Sequence, residues 1–502
     1  MLFALCTTLL SCSSPPAPNT LVMLIEFSPS NLDPRVGTDA QSERINSLLF
    51  DSLVRKDEHF NIVPGVADSW DIPDPQSYIF HLHHGIRFHD GRPLTARDVK
   101  WTLDSERDGS LVTIRGAAYK LVDRVEAMDD YTLLIHLSEP FAALLWNLAD
   151  GAFGIVPYGS GKEFKSHPIG SGPFRFVRDD PDSQVIIERN DNYWGEHAKV
   201  EQIRFPVVPD MTTRALELRK GSADMTPPNA LTSDMVGVLE RDRNLTVLQR
   251  PGTTLAYLAF NLRDPILKNV RVRQAMAHAI DRGPMLHAFF GDRGRLADSV
   301  LPPGHWAYNG NVAHYPYDPA RANALLDAAG YPRDKNGVRF HLTIKISTAE
   351  ETSRLMAVVM QQQLKKVGIA LDIRSFEFAL LYSDIVHGNF QLYNLRWVGF
   401  SNQDPDIFED AFHSASFPPK RANRGYYSNP RVDHLLEEGH RTLDQARRKQ
   451  IYAEVQQILA RDLPYINFWY LDNVMVHSVH VKNVNLTASG NYDFLATAEL
   501  DR

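Results

Sequence analysis

The residue types best suited to holding a small solute fall in one stretch, Gln391 to His413, which reads QLYNLRWVGFSNQDPDIFEDAFH. Trp397 and Phe400 would offer flat apolar walls, and Asn402, Gln403 and Asp404 would offer hydrogen bonds. A second cluster, His81, His83, His84 and His89 in HLHHGIRFHD, has the His-x-His spacing that can ligate Zn²⁺ or Ni²⁺ from one strand face. The same histidines on an exposed strand face need hold nothing, and we assign the chain neither a metal nor a cofactor. Gly159-Ser160-Gly161-Lys162 falls short of a phosphate loop: the glycine required five residues before Gly161 is Val156, and Glu163 stands in the Ser/Thr position. Neither a G-x-S-x-G nucleophile elbow nor an H-E-x-x-H metalloprotease motif occurs.

The elements needed to position the first group can be read locally. Leu392 to Phe400 is aromatic, aliphatic and rich in β-formers, which predicts a buried strand. Ser401 to Asp404 makes a polar turn. Asp404-Pro405 has the form of a helix start, with Asp at the N-cap and Pro at the first helical position, and Ile407, Phe408, Ala411 and Phe412 follow at helical spacing. A strand that leads through a polar turn into a helix N-terminus is where α/β proteins bind ligands. The same pattern also fits a buried strand, a turn and a capped helix with no ligand.

The ends of the chain bear on its compartment. Leu2 to Leu10 is an uncharged apolar run with the length of a signal-peptide core and too short to span a bilayer. Leu9-Leu10-Ser11-Cys12 resembles a lipoprotein lipobox, which implies lipidation of Cys12 and a signal peptide over 1–12. No Lys or Arg precedes the run, so either the start lies upstream or the signal is atypical; a frayed cytosolic N-terminus is the alternative. Residues 13–20, SSPPAPNT, make a tether. Cys6 and Cys12 are the only cysteines, so a body that follows them holds no disulfide and no cysteine chemistry. The length of 502 residues suffices for two or three domains. A net charge of −8 without a long basic run argues against a nucleic-acid partner.

Along the chain, Leu21 to Phe27 predicts a strand and Gln41 to Leu49 a helix. Tyr78, Phe80 and Leu82 alternate with polar residues, His84-Gly85 turns, Ile86 to Phe88 returns, and Thr95 with Asp98 forms a capping box for the next helix. The stretch from Ser69 to Lys100, SWDIPDPQSYIFHLHHGIRFHDGRPLTARDVK, resembles the signature of bacterial extracellular solute-binding proteins of family 5, the dipeptide/oligopeptide-binding proteins of ABC importers. The resemblance continues through PIGSGPF (168–174), ERNDNYWG (188–195), LRKGSAD (218–224), LAFN (258–261), VRVRQA (270–275), YDPARANALL (317–326), Ala329-Gly330-Tyr331, Gln362 to Ile369, and Asn429-Pro430 with Val432-Asp433.

This resemblance implies an α/β, two-lobed periplasmic-binding-protein fold of the type II, three-subdomain form, with the ligand cleft between the lobes. Lobe I would be 20–253 plus 470–502, with an inserted subdomain at about 50–167, and lobe II would be 254–469. It implies a binder, not an enzyme, that passes a short peptide or similar solute to ABC permease subunits by hinge closure. It also implies a lipid-anchored monomer in the periplasm or on the outer face of the bacterial envelope. Family members with an Asp at the position of Phe400 pair it with a peptide amino group, which a phenyl ring cannot do. Arg354 stands where some members supply an arginine to the ligand carboxylate. Phe27-Ser28, Tyr257 and Asn261 lie on or after strands expected to reach the cleft. A non-peptide solute, such as a metal chelate or sugar, and an envelope hydrolase are the competing functions.

Overall fold

The computed structural model describes residues 19–502 except 112, 114, 150–152, 349, 350 and 399–403, with the backbone alone at 117 and 351. Cys12, Phe400, Asn402 and Gln403 therefore lie outside the described residues.

Three sheets organise the chain. The strands Ala67–Asp74, Ser77–Leu82, Thr132–Leu137 and Val122–Ala127 form an antiparallel sheet in that order. Tyr78, Phe80 and Leu82 alternate inward as their spacing predicts, and they bury against Leu133, Ile135 and the helix Ala96–Arg107. That helix starts at Thr95, whose backbone N–H donates to the Asp98 carboxylate at 2.8 Å. The expected return strand at Ile86 to Phe88 is reduced to a single bridge between Arg87 and Pro93, because Gly85 and Gly91 both turn the chain through positive φ.

A second sheet places Thr20–Val22 parallel to Gln202–Pro206, followed by Gln184–Arg189 and Phe174–Asp180. The first of these strands is shorter than Leu21 to Phe27; beyond Val22 only isolated bridges at Met23 and Ile25 continue it. Tyr492, Phe494 and Leu495, from the far end of the chain, complete its core beside Ile203 and Phe205.

The third sheet has six strands in the order Gly294–Leu296, Tyr465–Ser478, Leu245–Phe260, Leu392–Trp397, Phe340–Ser347 and Ile369–Phe376. Helices cover both faces. Leu258, Phe260 and Ile344 pack into one core and Leu255, Tyr257 and Tyr393 into the other. The strand 392–397 is buried over Leu392, Tyr393 and Asn394 and opens to solvent at Arg396.

Leu245–Phe260 and Tyr465–Ser478 pair along most of their length and link the second and third units. One end of this pair buries Leu245, Val474 and Val476 in a small core with Val22 and Leu24, and the other end buries Leu258 and Ile466 under the helices of the third sheet. Between them the register breaks from Arg250 to Thr254. Gly252 sits in that break, where a Cβ would come 2.3 Å from the Leu471 carbonyl oxygen.

Candidate ligand site

Asp404 does not cap the helix that follows it. That helix runs Ile407–Phe412 with Asp406 at its N-cap, and Pro405 lies in the turn before it. The Asp404 carboxylate instead forms a forked ion pair with Arg448, Oδ2 accepting from Nη1 at 2.7 Å and Oδ1 accepting from Nη2. Both side chains are almost wholly buried, with 4% and 2% exposure. Asp404 Oδ1 also accepts the Asp406 N–H at 2.9 Å, and Arg448 Nε donates to the Gly439 carbonyl at 3.1 Å. Trp146, Trp306 and Tyr452 surround the guanidinium, with ring centroids 5.4 to 5.7 Å from Cζ. The fork explains the misplacement. A carboxylate that can reach a buried guanidinium gains more than one that caps a six-residue helix. Its work is to fasten the turn Asp404–Asp406, ahead of the helix Ile407–Phe412, to the helix Gln445–Asp462.

The end of the strand Leu392–Trp397 carries an aromatic wall. Leu255 pairs with Trp397 and Tyr257 with Leu395 across the antiparallel strands, which sets the two rings on one face. Tyr257 stacks on Trp397 with centroids 5.8 Å apart and planes 14° apart, and Tyr465 lies 4.6 Å from Tyr257. Arg424 sits on the outer side, its Cζ 4.9 Å from the Trp397 centroid and 5.2 Å from that of Tyr382. Its Nη2 donates to Tyr382 Oη at 3.0 Å. Tyr382 in turn stacks on Phe378 at 6.0 Å. The series Phe378, Tyr382, Arg424, Trp397, Tyr257 thus runs from surface to core, and its outer members are half exposed (Phe378 49%, Tyr382 39%) beside an open Val398. Arg424, Tyr382, Tyr393 and Tyr465 were not identified from sequence; they come from four segments that only the fold brings together.

The remaining candidates take other places. Tyr257 is wholly buried and belongs to the wall as its second layer. Asn261 is buried, and its amide donates to the carbonyls of Gly388 (3.1 Å) and Phe390 (2.8 Å) while its Oδ1 accepts from Arg263, so its hydrogen-bonding capacity is used within the third unit. Ser28 is half-buried on the second sheet's unit, its Oγ accepting the Asp182 N–H at 3.0 Å. Arg354 is exposed on the helix Glu351–Lys366. The four histidines diverge: His81 meets Asp71 at 2.9 Å, His83 packs on Trp194, and His84 stacks on Tyr131. His89 accepts the Gly170 N–H at 3.1 Å and contacts the Gly172 carbonyl at 3.2 Å. Burial holds the His89 imidazole down at about 4, so it stays neutral and acts as a scaffold.

An open cavity of about 770 Å³ lies between residues 118–147 of the first unit and 404–441 of the third. On its wall His440 Nδ1 faces Asp406 at 3.0 Å and Glu409 at 3.4 Å. Burial alone would lower the His440 pKa, but the two carboxylates outweigh it and hold the imidazole up to about 10. A cation whose folded pKa is raised adds stability that is complete below its ordinary value of about 6.5 and is lost as pH climbs towards 10. His440→Gln should therefore lower stability by roughly 2 kcal/mol at pH 6. The gap to wild type should close by pH 10, which thermal unfolding across that range would measure. A gap constant with pH would show that folding does not raise the His440 pKa.

Comparison with known proteins places the whole arrangement. The model of bacterial extracellular solute-binding proteins, family 5 (middle region), matches residues 61–418. The glutathione-binding protein GsiB of Pectobacterium atrosepticum is 30% identical over 448 residues, covering 87% of this chain and 86% of that protein. Among solved structures, HbpA2 from Haemophilus parasuis superposes with a TM-score of 0.86 at 26% identity, covering 96% of this chain and all of its own. The periplasmic binding protein DppA from Helicobacter pylori, in complex with the peptide STSA, superposes with a TM-score of 0.76 at 27% identity over 96% and 98% of the two chains. The α/β fold is that of the periplasmic solute-binding proteins, as the motifs imply, and the chain belongs to the bacterial extracellular solute-binding proteins of family 5.

Proposed function

We propose that the chain is the substrate-binding component of an ABC importer, that it captures a short peptide or similar small solute outside the cytoplasmic membrane, and that it performs no bond chemistry. The observation that carries this reading is the half-exposed aromatic wall of Phe378, Tyr382 and Trp397 around Arg424, at the end of a central strand in a family of solute binders. A glutathione-binding relative and a neighbour holding a peptide support the ligand class. In this reading lobe I is 20–253 plus 470–502 with its inserted subdomain at about 50–167, and lobe II is 254–469. The register break at Arg250 to Thr254, opposite Leu471 to Asn473, supports a hinge at those boundaries. Permease subunits recognise the closed form. The LLSC pattern supports attachment through a lipid on Cys12 at the outer face of the membrane, and we take the protein to act as a monomer. Among the described residues no helix is long and apolar enough to cross a membrane.

The test is mass spectrometry of what the purified body releases on mild denaturation, followed by binding assays with the species found. Released peptides of two to about six residues are expected. Trp397→Ala should then weaken their binding by about 30-fold or more, since a wall of this size supplies about 2 kcal/mol or more, with the circular dichroism unchanged. A sugar or metal chelate in place of peptides would remove the peptide assignment, and an unchanged affinity in Trp397→Ala would move the site.

A further inference from the structure

Arg424 combines features that a structural arginine rarely has together. It is half-buried, it is flanked by the faces of Trp397 and Tyr382, and no carboxylate of the described residues lies within 4.0 Å of it. The contrast with Arg448 is direct. That guanidinium has a comparable aromatic surround, but a carboxylate fills its fork. At Arg424 the guanidinium meets phenols instead of a carboxylate: Nη2 donates to Tyr382 Oη at 3.0 Å, and the Tyr257 hydroxyl lies close enough to interact with it. Behind it lie the hydroxyls of Tyr257, Tyr393 and Tyr465, buried, drawn towards one another and towards Arg424, and without a hydrogen bond of 3.5 Å or less among the described residues. A partly desolvated cation beside three unsatisfied buried hydroxyls costs stability unless an acceptor arrives.

We propose, on the foundation of the solute-binding reading above, that Arg424 is the anion anchor of the site. Its fork takes a carboxylate of the bound solute, the tyrosine hydroxyls stand as neutral donors at its back, and the apolar part of the solute lies along Phe378, Tyr382 and Trp397. A planar carboxylate matches the guanidinium fork in two hydrogen bonds and would supply the acceptor that the hydroxyls lack. For a peptide, the group so held is its C-terminal carboxylate. An ammonium would meet a cation there and be repelled.

The experiment compares two pools of tri- to hexapeptides of the same sequences, one with free C-terminal carboxylates and one amidated, against wild type, Arg424→Gln and Arg424→Lys, each checked for folding by circular dichroism. Wild type is expected to prefer the free acids by roughly 100-fold, Arg424→Gln to lose that preference, and Arg424→Lys to keep a part of it, since the charge remains and the fork does not. Equal binding of acids and amides by wild type overturns the proposal. So does a preference that survives in Arg424→Gln but disappears in Arg354→Gln. If neither pool binds, the peptide assignment fails separately, and the anchor is judged on the solutes that wild type carries out of a cell extract. An acidic solute lost from Arg424→Gln sustains it; a neutral solute, an acidic one that the variant retains, or no solute at all overturns it.

Discussion

Arg448→Met is expected to destabilise the protein by about 3 to 5 kcal/mol, the cost of leaving one member of a buried ion pair without its partner. Asp404 is 3% exposed, and its remaining neighbour would be a single backbone N–H from Asp406. Methionine is chosen because it fills the space among Trp146, Trp306 and Tyr452 without a charge, so that loss of packing contributes little. In Asp404→Asn/Arg448→Met the orphaned charge is gone, and most of the loss should be recovered. A double-mutant cycle by calorimetry measures the coupling, which should exceed about 2 kcal/mol. A double-variant loss equal to the sum of the two single losses would show that the two side chains do not interact in solution. The single variant should also bind ligand more weakly, because the fork holds the turn Asp404–Asp406 that follows the aromatic wall.

What the sequence made legible follows from how local each interaction is. The helices entered through Thr95–Asp98, Asp318–Pro319 and Asn429–Pro430 start where their residue types require, since a capping hydrogen bond spans two or three residues and needs nothing else. Asp404-Pro405 has the same local grammar, yet an arginine 44 residues further along captures the carboxylate, and the helix begins at Asp406 instead. Tyr257 and Trp397 were within reach because both lie on apolar strands; that their rings stack depends on the pairing register, which the pattern does not encode. Arg424 could not have been singled out. It lies in a run of small and polar residues, RANRGYYSNP, and its meaning comes from Tyr382 on one helix and Trp397 on a distant strand. Asn261 shows the reverse error. A polar residue at a strand end suggests a ligand contact, but here two carbonyls at 388 and 390 occupy its amide.

Gly170→Ala carries the other large expected effect, and it separates two reasons for keeping a glycine. At Gly170 a Cβ would stand 1.8 Å from the Leu49 carbonyl oxygen and 2.9 Å from Phe50 Cδ1, where the PIGSGP segment crosses the end of the helix Ala40–Leu49. The segment cannot retreat, because it is held from both sides. Gly172 N–H donates to Leu49 O at 3.0 Å, Gly170 N–H donates to His89 Nδ1, and Gly170 O accepts the His89 N–H at 2.8 Å. A contact with backbone that must open by more than an ångström breaks several of these bonds at once. We therefore expect a loss of about 4 kcal/mol or a failure to fold, near the upper end for single substitutions. Gly85→Ala is the control. There φ is +85° with nothing within 4 Å of the added carbon, so only the conformational cost of about 1 to 2 kcal/mol remains. Denaturant unfolding of the two variants, with His89→Ala beside them, measures the difference. His89→Ala should weaken the crossing without a clash and fall between them. Equal losses for Gly170→Ala and Gly85→Ala would mean that the crossing yields and that close approach does not require glycine in this family motif.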